Sequence, residues 1–258
     1  MALTDLIADF GEFILDGIDA LGQFILFLIS AIYYAIVPPY KPRLTLRQIR
    51  VIGAESFFLI LLVSAFTGMV LGLQGYNSLR RFGSEGALGT LVALTLVREL
   101  GPVMAALMIA ARAGSAMAAE LGSMQSTEQI DALTVMAINP IQYLVSPRLL
   151  AGVISFPLLT SVFDVIGIWG GYVIGVGLMG APGSSYMNGI SYNMTEHDIV
   201  TGLIKSLVFG VVVIWVCCYK GYNARRMATG VSQATTEAVV LSSVLILASD
   251  YFLTSVLL

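Results

Sequence analysis

Residues 97–137 read VRELGPVMAALMIAARAGSAMAAELGSMQSTEQIDALTVMA, and the order of environments along this stretch decides the architecture. It begins as an apolar, membrane-compatible helix carrying the adjacent pair Arg98-Glu99 in mid-span. A run of small residues, GSAMAAELG, follows, and then the polar, helix-forming segment STEQIDALTVM. Ser126 or Thr127 is suited to cap that segment, with Glu128 and Gln129 in its first turn. Ile130, Leu133 and Met136 recur every three residues and form one apolar face, until Asn139-Pro140 stops the helix. A short amphipathic helix at about 125–138, outside the hydrocarbon and between two hydrophobic spans, is a place for a cytoplasmic motor subunit to grip.

Composition places the rest of the chain in the membrane too. The 258 residues are 57% hydrophobic and 11% charged, with a mean hydropathy of +0.89, whereas soluble domains carry about a quarter charged residues. A bilayer-spanning helix takes about 20 apolar residues, so the length allows roughly five or six spans and no separate globular domain. The expected fold is an all-α integral membrane protein, a single unit over 1–258. Interfacial and elbow helices occupy 1–55 and a five-span bundle occupies 56–258.

Acids at 5, 9, 12, 16 and 19 alternate with apolar residues, which predicts an amphipathic helix over 3–19. It lies in the membrane interface or packs on the cytoplasmic side of the protein. Its charge is wrong for a cleavable signal. Residues 20–37 carry no charge and reach the minimum length of a span, but an elbow is preferred: crossing would separate the acidic helix from Lys41, Arg43, Arg47 and Arg50. Residues 56–79 form the first span, with the basic cluster before them on the cytoplasmic side. Gly68, Gly72 and Gly75 open one face of it to close approach by a helix or ligand. Arg80 and Arg81 at its outer end contradict the charge rule and suggest anionic headgroups or an acidic partner. Spans follow at 86–111, about 149–179, 199–219 and 238–258. An outer loop runs over 180–198, and a basic cytoplasmic segment over 220–237.

No metal-ligand spacing and no phosphate-binding loop occurs, so the chain is expected not to be an enzyme; if nucleotide drives transport, ATP and Mg are bound by a separate ATPase subunit. His197 reads as a solvated loop residue, and Cys217-Cys218 as core packing. Intramembrane charge is costly and marks a cavity or a partner. Lys205 and Asp250 fall at similar depth and are expected to form a structural ion pair, with Asp164 near them. A second reading makes Asp164, Lys205 and Asp250 the ion path of a secondary transporter. A third makes the chain a scaffold. Arg98 and Glu99 point about 100° apart on a helix, so at least one needs another partner. With Leu71, Leu79, Phe82 and Leu100 they suggest a cavity for an amphiphile with an anionic head.

Several motifs together carry a resemblance: GMVLGLQGY (68–76), RELGPVMAALMIAARAGSAMAAELGSM (98–124), TEQIDALTVMAINP (127–140), SPRLLAGVISFPLL (146–159), GIWGG (167–171), IKS (204–206), GYNA (221–224) and ATT (234–236). In this order the chain resembles the MlaE/YrbE family of ABC-transporter permeases from about residue 45 to its end. The resemblance implies a homodimeric inner-membrane permease of a Gram-negative bacterium, with its N-terminus cytoplasmic and its C-terminus periplasmic. It implies a cytoplasmic ABC ATPase, a STAS-domain protein and a periplasmic MCE-domain hexamer as partners, phospholipid as substrate, and no nucleic acid. The function implied is phospholipid movement between inner and outer membranes, maintaining outer-membrane lipid asymmetry. Residues carried over for ATPase coupling are Glu128, Gln129, Asp131, Ala132, Leu133 and Met136. A lipid site follows at the outer ends of spans one and two, comprising Leu71, Gln74, Tyr76, Ser78, Leu79, Phe82, Arg98, Glu99 and Leu100. Asp164 matches no family position and receives no role.

Overall fold

Long apolar runs without helix breakers fold into long helices, because in hydrocarbon every backbone N–H and C=O must be satisfied within the segment. The computed structural model describes residues 2–38 and 41–257, with side chains from residue 15 onward. Among them there is no strand. Helix α1 (Ala2–Ile36) leads to α2 (Pro42–Ile49), which runs through a π-helical turn, Arg50–Ala54, into α3 (Glu55–Arg80). The second span is α4 (Leu88–Thr95), α5 (Gly101–Ile109) and α6 (Ser115–Ser126), joined by π turns at Leu96–Leu100 and Ala110–Gly114. The short α7 (Gln129–Val135) precedes α8 (Ser146–Tyr172), and α9 (Gly183–Asn193), α10 (Glu196–Tyr222) and α11 (Ala228–Leu257) complete the chain.

Among the described residues six helical stretches are long and apolar enough to cross a bilayer: Leu15–Ile36, Pro42–Arg80, Glu85–Ser126, Ile141–Leu178, Glu196–Tyr222 and Ala228–Leu257. The last five alternate in direction, so α2, α7 and the α10–α11 turn share one end of the bundle. The α3–α4 turn, α9 and the C-terminal end of α11 share the other.

Three expectations change. The amphipathic and elbow segments are one continuous helix, with Asp16 and Asp19 exposed; the side chains of Asp5, Asp9 and Glu12 lie outside the described residues. Nothing at residues 19–20 breaks it, since Ala20, Leu21 and Gly22 extend the helix without proline. It is fastened to α8 and α10: Ser146 donates to the Tyr34 carbonyl at 3.0 Å, and Phe24 stacks on Trp215 at 3.9 Å. The expected loop over 180–198 contains α9, because its turn residues sit at the helix ends while SSYMNGISYN stays helical and packs on α4. Helix α11 starts ten residues before the apolar run, at Ala228, since SQATTEA forms helix as readily outside hydrocarbon. The small-residue run at 114–122 is helical, with Gly114 closing the π turn and the rest in α6.

The glycine face of α3 meets α8. A Cβ on Gly68 would collide with the Gly167 carbonyl, and one on Gly72 would lie 2.8 Å from the Gly171 oxygen. Ser64, on the same face, donates to the Phe163 carbonyl. Apolar surface gains little by leaving lipid for another helix, so this close backbone approach supplies the van der Waals contact that holds the two spans together.

Candidate functional site

At the bundle end away from α7, the chain builds a charged cleft of about 180 Å³ lined by Arg98, Glu99, Asp198, Thr201, Lys205 and Thr254, with His197 and Leu257 at its edge. The first turn of α10 begins it. Thr195 and Asp198 form a reciprocal cap: the Thr195 N–H and hydroxyl donate to Asp198 Oδ2 at 2.8 and 2.9 Å. The other Asp198 oxygen receives Arg98, whose Nε lies 2.6 Å away. Two turns further along α10, Lys205 is fully buried. Its ammonium donates to Glu99 Oε2 at 2.7 Å, Thr254 Oγ1 at 2.7 Å and the Arg98 carbonyl at 3.0 Å. Asp250 lies 3.1 Å from the same nitrogen.

The free Arg98 carbonyl has a sequence cause. Residue 102 is proline, which has no N–H to return to the carbonyl four residues back. The π turn at Leu96–Leu100 adds to this break, and Lys205 supplies the missing donor. Arg98 and Glu99 point apart, as adjacent helical residues do, and each finds a separate partner on α10.

The Lys205–Asp250 ion pair is present as expected, but within a larger cluster of two cations and three carboxylates. Asp164 lies outside it: its carboxylate is pressed against Gly101 on α5, where a Cβ would strike it. Asp198 and Thr254 were missed. The Thr195-x-x-Asp198 capping spacing was a readable signal for the first; nothing marked the second.

The α3 members of the expected lipid site do not line this cleft. Leu71, Leu79 and Leu100 are half-buried against the core, while Gln74, Ser78 and Phe82 are exposed. Tyr76 is buried in the chain's own interior with Gly72 and Gly75, on a different face of α3 from Gln74 and Ser78. Arg80 pairs loosely with Glu85 at 3.9 Å.

At the opposite end α7 is shorter than expected, Gln129–Val135. The anticipated cap does not form, because Ser126 and Thr127 donate back to the Gly122 and Ser123 carbonyls of α6. Glu128 instead turns the chain with φ of 57°, and Ala137 leaves the helix with φ of 58°. Ile130 is buried and Leu133 half-buried, whereas Glu128, Gln129, Asp131, Ala132 and Met136 are exposed. Arg226, from the α10–α11 turn, reaches Asp131 at 2.6 Å and Glu128 at 3.6 Å.

The fold and its two ends define an all-α, multi-span membrane protein with an outward-presented short helix at one end and an internally paired charge cluster at the other. The chain belongs to the MlaE permease family: the model of that family, described as Permease MlaE, matches residues 45–256. It is 41% identical over 258 residues to the intermembrane phospholipid transport system permease protein MlaE of Haemophilus influenzae, covering 99% of this chain and 98% of that protein. It is 42% identical over 235 residues to a probable ABC transporter permease protein of Rickettsia felis, 91% of each chain. It is also 37% identical over 213 residues to the chloroplastic protein TRIGALACTOSYLDIACYLGLYCEROL 1 of Arabidopsis thaliana, over 83% of this chain and 61% of that protein.

Proposed function

We propose that this chain is the membrane-spanning permease of an ATP-driven system that moves phospholipids between two membranes. Near full-length similarity to a permease named for intermembrane phospholipid transport carries the reading. In it, α7 is the docking point for a separate ATPase subunit that binds ATP and Mg. Glu128, Gln129, Asp131, Ala132 and Met136 form the contact, and Leu133 and Ile130 anchor the helix from beneath. Phospholipid enters beside the exposed Gln74 and Ser78 of α3 and Phe82 in the turn after it, flanked by Leu71, Leu79 and Leu100. Tyr76 supports this region from inside the protein, and Arg98 and Glu99 through their pairs with Asp198 and Lys205, rather than by touching lipid. A homodimer in the inner membrane, with a STAS-domain protein, a periplasmic MCE-domain hexamer, a cytoplasmic N-terminus and a periplasmic C-terminus, completes the proposal.

The ion-coupled alternative is not supported. Family membership is with ABC permeases, Lys205 and Asp250 are engaged with each other and with Glu99, and Asp164 stands apart. The function is tested by Glu128→Lys with Asp131→Lys in the reconstituted complex. ATP-dependent lipid movement is expected to fall at least ten-fold while the protein still purifies and folds. Unchanged ATP-coupled transport would refute the docking role of α7.

A further inference from the structure

Of the thirteen Lys and Arg residues, seven form ion pairs with acids among the described residues: Arg80, Arg98, Arg112, Arg148, Lys205, Lys220 and Arg226. Four of the other six, Lys41, Arg43, Arg47 and Arg50, fall within ten consecutive residues on and beside α2. Lys41 sits over the Tyr143 ring at 4.0 Å. The three arginines have no acidic partner among the described residues.

Their spacing places them together. Arg43, Leu46, Arg47 and Arg50 follow the three- and four-residue steps that line one face of a helix, and all four are exposed. Leu44, Thr45, Gln48 and Ile49 are half-buried on the other side, where α2 packs on α8. Leu46 is 65% exposed in the middle of the arginine stripe. Depth is set by α3. Its charge-free residues 56–79 extend roughly 36 Å at the helical rise, which already covers the ~30 Å hydrocarbon layer. Arg50 therefore emerges about 9 Å before that segment, at headgroup level, with Arg47 and Arg43 beyond it.

We propose that the exposed face of α2 is a binding surface for anionic phospholipid headgroups of the adjacent leaflet, with Arg43, Arg47 and Arg50 contacting phosphates and Leu46 entering the acyl boundary. Charge complementarity selects this occupant, because a surplus of unpaired guanidinium groups next to a membrane span is attracted to anionic lipid. An apolar side chain left among them fits a lipid surface better than an acidic protein groove.

The full-length protein is reconstituted in phosphatidylcholine nanodiscs, and the motionally restricted fraction of spin-labelled phosphatidylglycerol is compared with that of spin-labelled phosphatidylcholine. Wild type is expected to prefer phosphatidylglycerol, and raised salt to weaken the preference. Arg43→Gln/Arg47→Gln/Arg50→Gln is expected to lower it at least five-fold, the weight of about one cation at a charged membrane surface. Arg43→Lys/Arg47→Lys/Arg50→Lys retains it. If the triple glutamine variant fails to fold, Arg47→Gln alone is expected to show a partial loss. The proposal is overturned by an unselective wild type or by glutamine variants with unchanged preference. Loss of other subunits with lipid preference intact would assign the stripe to a protein contact and likewise overturn it.

Discussion

Lys205 shows how one side chain organises the charged cleft. A fully buried ammonium is tolerated because Glu99, Asp250, Thr254 and a carbonyl freed by Pro102 surround it. Removing one partner of such a group leaves the others uncompensated, which costs more than removing the whole set. Lys205→Met is expected to destabilise by about 3 kcal/mol. Lys205→Met with Glu99→Gln and Asp250→Asn should recover part of that loss in a thermal melt in detergent. Gly101 offers a second test. Its missing side chain makes room for the Asp164 carboxylate, so Gly101→Ala should lower the melting temperature and Gly101→Ala/Asp164→Ala should restore most of it. Failure of Asp164→Ala to rescue would place the strain in the α5 backbone instead.

Among the elements, α7 is the least self-sufficient. A helix of this length is not stable alone, and its ends use left-handed backbone at Glu128 and Ala137, a conformation that costs L-residues roughly 1–2 kcal/mol. It holds its place through buried Ile130, half-buried Leu133 and the Arg226 bridge. Ala137→Gly should therefore stabilise by about 0.5–1 kcal/mol, read as slower local amide exchange around α7. An unchanged exchange rate would mean that the residue 137 turn relaxes freely. The boundaries of α7 were misread from sequence because Ser126 and Thr127 had two competing sets of acceptors. Hydroxyls that cap a helix can equally bond back to the preceding turn, and only the path of α6 decides between them.

For the whole molecule, the exposed apolar surface is distributed over α1, α3, α8, α10 and α11, where Leu21, Phe58, Phe66, Leu158, Val200 and Leu247 face outward. In hydrocarbon this is ordinary lipid contact, and only specific retention distinguishes a substrate path from annular lipid. Mass spectrometry of the gently purified protein should find phospholipid in wild type and less in Leu79→Arg/Phe82→Arg. Equal lipid in both would move the site away from the outer end of α3.

Hydropathy alone was sufficient for the all-α membrane class, because a bilayer imposes one length and one polarity on every span. The glycine spacing likewise announced close helix contact, and α8 proved to be the partner. Pairing of charges was different. Arg98 and Glu99 announced that they needed partners, but Asp198 and Thr254 stand 100 and 155 residues away from Arg98 and Glu99 respectively. No local period carries information across such distances. The bundle geometry decides which carboxylate meets which cation, and it turned Tyr76 inward while leaving Gln74 and Ser78 exposed.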